Sequence, residues 1–252
     1  MASKPPPRIF SRDRRIAGLR RARVRQSQRD AARYLMDDMV EDVLDRLEFM
    51  RMSPRRVLVI GDWTGTLALS LRGLGAEVEE ADVASLDEER PTPGAPYDLI
   101  VSLASLDRVN DLPGALLHLR GALGEDGILF ASIIGAGSLA NLRRAMIASE
   151  PDRPAARMHP LVDNAAASAL MQRALFKRQV VDSRTLTVSF ASLDRLVSDL
   201  RDQGLTSSLA RPAPPLGREA LERARQSFLA GANKRGRVLE SFEILTLTGW
   251  KD

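Results

Sequence analysis

The chain has no cysteine, and that absence removes disulfides, thiol nucleophiles, thiolate metal sites and iron–sulfur ligation together. Histidine is nearly as scarce. Only His118 and His159 occur, far apart and outside any H-E-x-x-H spacing, so no histidine-rich metal site can be built and no metal is expected. Aromatic residues make up 4% of the chain, and none stands between Phe10 and Tyr34, so the most basic stretch has nothing to stack on bases. Nucleic acid is therefore a poor partner. No apolar run approaches the ~20 residues that span a bilayer, and Met1-Ala2-Ser3-Lys4-Pro5-Pro6-Pro7 lacks the apolar stretch of a secretory signal. An arginine-rich start would suit a mitochondrial transit segment, but the prolines and the lack of an early amphipathic helix weigh against one. The expectation is a cytoplasmic protein.

Several reaction signatures are missing as well. A Tyr-x-x-x-Lys pair fails, because Asp38 and Val101 stand four residues after the only tyrosines, Tyr34 and Tyr97. There is no G-x-G-x-x-G fingerprint and no Walker G-K-[ST]; Gly135-Ala136-Gly137-Ser138 does not make the G-x-S-x-G of a serine hydrolase.

What is present is enough apolar residue, 44% of 252, to bury one sizeable core. The net charge of +4 is unevenly spread: residues 1–33 carry eleven basic against two acidic residues, a surplus of +9, which leaves −5 for the rest. This divides the chain into a basic arm, 1–33, and a main domain, 34–252. The arm suits an acidic protein partner or peripheral contact with an anionic membrane; equally, it suits a helix lying on the acidic body of the same chain.

Hydrophobic periodicity then orders the domain. Residues 1–7 read as a disordered proline-rich leader. Leu35, Met39, Val43 and Leu47 mark a helix over Ala31–Met50 that Ser53-Pro54 ends. Arg56–Ile60 is a buried strand, Leu67–Leu74 a helix, Ala76–Val83 a strand, Tyr97–Ser102 a strand and Leu112–Leu123 a helix. The turn Gly124-Glu125-Asp126-Gly127 leads into a strand, Ile128–Ile134. Helices are expected at Ser138–Ser149, Asp163–Ala174, Ser192–Gln203 and Arg218–Ala230, with strands near Gln179–Ser189 and Glu240–Thr248. Such alternation implies a doubly wound, mainly parallel α/β sheet.

The loop Gly61-Asp62-Trp63-Thr64-Gly65, the acid Asp82 closing the second strand and the Tyr97-Asp98-Leu99-Ile100-Val101-Ser102 strand together resemble a class I S-adenosylmethionine-dependent methyltransferase. The likeness is closest to the group holding the malonyl-carrier O-methyltransferases of biotin synthesis and the arginine-hydroxylating complex I assembly factors. Ile9-Phe10-Ser11-Arg12, Val109-Asn110-Asp111-Leu112-Pro113, Val180–Val188 and Phe242–Trp250 carry it. The resemblance implies a seven-stranded sheet with N-terminal helices and a helical lid insertion. It also implies S-adenosylmethionine as cofactor, held by Gly61, Asp62, Gly65, Asp82 and Val83, and a protein substrate or respiratory complex I subunit as partner. No catalytic residue matches a family motif.

In that family the first loop reads Asp-x-Gly-x-Gly-x-Gly. Here Val59 replaces the acid and Trp63 the central glycine, while Gly61 and Gly65 remain. The glycines allow backbone N–H groups and the following helix to approach the cofactor's carboxylate; an indole in their midst suits a plug. The connection before Tyr97 is shortened to prolines and alanines, and Asp107-Arg108 replaces the assembly-factor His-Trp. His118 reads as a packing residue. His159 falls in the region that forms the substrate-side lid of relatives. Two functions stay open: a methyltransferase acting by proximity, or a degenerate relative serving as an assembly or binding module.

Overall fold

The computed structural model describes residues 8–252 except 95, 153 and 154; the proline-rich leader falls outside the described residues. Helix α1 (Arg12–Arg25) starts at Ser11, whose hydroxyl accepts from the Arg14 N–H, and α2 (Tyr34–Phe49) follows. The alternating part runs β1 (Arg56–Ile60), α3 (Thr66–Gly73), β2 (Glu77–Ala81), β3 (Tyr97–Leu103), α4 (Leu112–Ala122) and β4 (Leu123–Ile134). The remainder runs α5 (Ala140–Ser149), α6 (Asn164–Arg173), β5 (Lys177–Phe190), α7 (Leu193–Asp202), α8 (Arg218–Leu229) and β6 (Val238–Trp250).

The strand order is β2-β1-β3-β4-β6-β5, with β1 to β4 parallel and β6 antiparallel to both its neighbours. This is the doubly wound, mainly parallel sheet expected, with six strands among the described residues rather than seven. Pro91, Pro93 and Pro96 occupy the short link between β2 and β3, and residues without a backbone N–H cannot extend a ladder there. β2 is left as an edge, and its Glu77, Glu79 and Glu80 discourage another strand from pairing.

Strand pleat separates the two cores. Val57 and Val59 of β1 face α2 and α3, whereas Leu58 and Ile60 face the layer of α4 and α6. The expected turn at Gly124–Gly127 lies inside β4; Asp126 at φ 56° and a register shift opposite Tyr97–Leu99 absorb it.

The family-like blocks turn out to be joints. Asn110 accepts from the N–H groups of Ile9 and Phe10 at 2.8 Å each, tying the chain's start to the segment after β3. Arg184 of β5 grips Asp38 at 2.7 Å and Asp42 at 3.0 Å, and Arg46 bridges Asp42 and Asp182. Glu243 accepts from the Gly137 N–H at 2.6 Å, and a Cβ on Gly135 would meet its carboxylate at 2.5 Å. The loop 135–138 is thus wrapped around one side chain.

Candidate functional site

In an open α/β sheet, ligands bind beyond the carboxyl ends of the strands, where strand order reverses. Here that place lies between β1 and β3, and the Gly61–Gly65 loop forms its edge. Gly61 adopts φ 86°, and a Cβ would stand 2.3 Å from the Leu103 carbonyl oxygen, so the close approach of β3 alone requires glycine. Gly65, at φ 71°, opens α3 and has free space around it.

Several of the loop's donors are already used. Asp62 accepts from the N–H groups of Thr64 at 3.0 Å and Gly65 at 3.1 Å through one oxygen, and from Leu67 at 2.9 Å through the other. A carboxylate from this chain therefore occupies the helix N-terminus that would otherwise attract an anion. Trp63 is half-buried, packs on the main core and lines the cleft, while Val59 is completely buried in that core.

Asp82, just past β2, accepts from the N–H groups of Ala84 at 2.7 Å and Ser85 at 3.2 Å. Its other oxygen pairs with Arg23 of α1 at 2.7 Å. Burial pushes this carboxyl up, but the two N–H groups and Arg23 outweigh burial and hold it below the usual carboxylate range. Val83 beside it is buried and faces the same cleft.

Helix α1 fills what remains. Arg15 enters the cleft and meets Glu88 at 2.7 Å, the Ser105 hydroxyl at 3.1 Å and the Ser105 carbonyl at 3.2 Å. Ser105 in turn donates to Glu88. Arg15 is 6% and Glu88 1% exposed, so the pair is a buried one. Leu19 lies alongside, and the small residues Gly18 and Ala22 let the helix approach Thr206 and Gly204. Arg25 and Asp202 close the far end at 2.5 Å. About 50 Å³ remains open between α1, Trp63 and Asp82. Small-molecule sites occupy roughly 300–1,000 Å³, well above this residual space.

Of the five proposed cofactor contacts, Gly61, Asp82 and Val83 line the cleft, whereas Asp62 and Gly65 do not; Asp62 already holds the loop and Asp82 an arginine. Arg15, Glu88 and Ser105 were not singled out from sequence. The spacing of Arg15, Gly18 and Ala22 on one helix face was the signal, masked by the surrounding arginines. His118 is half-buried on α4. His159 accepts from the Ser208 N–H at 2.9 Å and packs edge-on against Phe10, 5.2 Å between centroids. Burial lowers its pKa to about 4, with Asp107 opposing and Arg108 reinforcing the shift, so the imidazole is neutral at pH 7.

A methyltransferase domain model matches residues 27–196. The chain belongs to the methyltransferase-domain family. Among curated relatives, it is 29% identical to the malonyl-[acyl-carrier protein] O-methyltransferase of Halorhodospira halophila over 246 residues, covering 88% of this chain and 82% of that one. It is 26% identical over 179 residues to the mitochondrial arginine-hydroxylase NDUFAF5 of Rattus norvegicus, covering 69% of this chain and 52% of the relative. The match spans about half the length of the arginine-hydroxylase relatives. Among solved structures, the YcgJ protein of a Bacillus aligns with a TM-score of 0.51 at 14% identity, covering 85% of this chain and 98% of that one. The 1,6-didemethyltoxoflavin-N1-methyltransferase of Burkholderia thailandensis aligns with a TM-score of 0.51 at 13% identity, covering 95% and 86%. These likenesses establish the fold.

Proposed function

We propose that this family member uses the methyltransferase fold as a binding module and has given over its cofactor cleft to internal packing. One observation carries the reading: α1 lies in the cleft, with Arg15 sealed against Glu88 and Ser105, and leaves about 50 Å³. S-adenosylmethionine does not fit a space of that size. Val59 adds the loss of the acid that holds the cofactor's amino group in relatives, and Asp62 the loss of free loop donors.

A protein is the partner this reading favours. Arg20, Arg21 and Arg29 are exposed and form no ion pair among the described residues, which leaves a cationic surface for an acidic partner. A respiratory complex I subunit is the partner class the resemblance suggests. Cofactor-dependent modification of such a partner is the second reading, favoured by Gly61, Asp82 and Val83 still bordering the residual space.

Titration calorimetry with S-adenosylmethionine separates the two. The wild-type protein is expected to give no saturable heat at millimolar cofactor. Micromolar binding would overturn the binding-module reading. Silence in the wild type, with binding restored in Trp63→Gly combined with Val59→Asp, would show that those two substitutions account for the loss.

A further inference from the structure

A second hollow lies beyond the carboxyl end of β4, and its volume is about 300 Å³. Ile134, Leu142, Met146, Val197 and Phe242 give it an apolar wall, with α5 and α7 as its roof. The hollow opens to solvent, and its apolar wall leaves hydrocarbon surface facing water until a ligand covers it. A hollow this large beside a tightly filled cleft points to an occupant.

The charges around it select the kind of occupant. Arg157 is matched by Glu150 at 2.5 Å. Arg108 donates to the carbonyls of Ala104 at 2.6 Å and Gly204 at 2.9 Å and has Asp107 at 3.8 Å, the aspartate side chain being 6% exposed. His159 is neutral at pH 7, so it brings no charge. That leaves Arg201, on the exposed side of α7 at the rim, with no ion pair among the described residues. The wall formed by α5, α7 and Phe242 is apolar, and Arg201 is the one charged side chain of the lining that makes no ion pair among the described residues.

We propose that this cavity binds a medium-chain carboxylate, with its hydrocarbon inside and its carboxylate on Arg201. At ~30 Å³ for each water-sized group, the space holds roughly ten such groups, a chain of about eight to ten carbons. An alcohol of the same length would bury the same hydrocarbon without engaging Arg201; an amine would be repelled. The inference does not depend on the cofactor cleft being closed, since the occupant sits on the far side of Arg108.

The test is titration of the full chain with decanoate, 1-decanol and decylamine. Decanoate is expected to bind saturably, one per chain, about tenfold tighter than decanol, with decylamine weakest. Arg201→Glu, a surface change, should weaken decanoate by about tenfold or more and leave decanol unchanged. Val197→Trp fills the cavity and should weaken both. Absence of saturable decanoate binding overturns the proposal, as does equal affinity for the three probes. So does wild-type affinity in a folded Val197→Trp. Should Val197→Trp fail to fold, the Arg201→Glu comparison decides.

Discussion

Two hollows lie side by side above the sheet and share Arg108, Ile134 and Leu205 as a wall. In one, the charged side chains that would greet a ligand meet groups of the same chain: Asp62 the loop N–H groups, Arg23 Asp82, and Arg15 Glu88. In the other, apolar side chains enclose about 300 Å³ and leave Arg201 unmatched. The difference shows how two neighbouring hollows on one sheet end can be filled to different degrees by side chains of the same chain. Gly61 and Asp82 persist in the closed cleft because close packing against β3 and the turn after β2 need them.

The largest test of that contrast is Arg15→Ala. It leaves Glu88 buried without its cation, and breaking a buried pair on one side costs about 3–5 kcal/mol. Denaturant unfolding should show a midpoint shift of that size with little change in slope. A loss under about 1 kcal/mol, the level of a surface pair, would mean that α1 does not seal the cleft as core packing does.

His159, which lines the open cavity and not the closed cleft, offers the next largest effect. Its folded pKa of about 4 lies below the 6.5 of free histidine, so the unfolded chain binds the extra proton between those values. The resulting stability is fully present above about pH 6.5 and is lost as pH falls toward about 4, a change of about 3 kcal/mol at most. His159→Phe keeps the packing on Phe10 and should flatten stability over that window. An unchanged slope would show that His159 stays hydrated in the folded protein.

The sheet and nearly every element were legible in the sequence because buried parallel strands read as continuous apolar runs, as in Val57–Ile60 and Leu99–Val101. The missing strand was not, although the prolines that prevent it were visible before Tyr97. In the site, Trp63 and Val59 announced the damaged loop. The occupant of the cleft could not be read. Arg15 looks like any other arginine of the arm until Glu88 and Ser105, 73 and 90 residues away, are placed around it. Asp62 likewise stands in the loop as a polar residue whose carboxylate could have faced either solvent or its own helix. Long-range pairing of charged groups leaves no local period to detect.

A smaller effect separates the two loop glycines. Gly61→Ala meets both a positive φ and a Cβ contact of 2.3 Å with backbone, whereas Gly65→Ala meets the positive φ alone. The left-handed conformation costs an ordinary residue about 1–2 kcal/mol, so Gly65→Ala should lose about 1 kcal/mol and Gly61→Ala more than about 2 kcal/mol. Equal losses at the two positions would mean that β3 does not hold Gly61 in place and that its retention has some other cause.

Arg23→Ala should cost least in stability and carry the sharpest chemical meaning. The pair with Asp82 is half-exposed on the arginine side, at 51%, and such pairs contribute about 0–1 kcal/mol. Asp82 keeps its two backbone donors, which continue to lower its carboxyl against the opposing effect of burial. The stability it supplies is present at neutral pH and lost only as pH falls below about 3.9, through the folded pKa. The variant therefore frees an acid that the resemblance places among the cofactor contacts without disturbing the fold, and calorimetry with S-adenosylmethionine should still show nothing. Arg15 fills the cleft, Trp63 stands in the loop, Asp62 holds loop donors and Val59 offers no carboxylate, so removing one ion pair clears one obstacle of five. Binding that emerged from this change alone would make α1 a removable cover over a working site, and the contrast between the closed cleft and the open cavity would become one between two ligand sites.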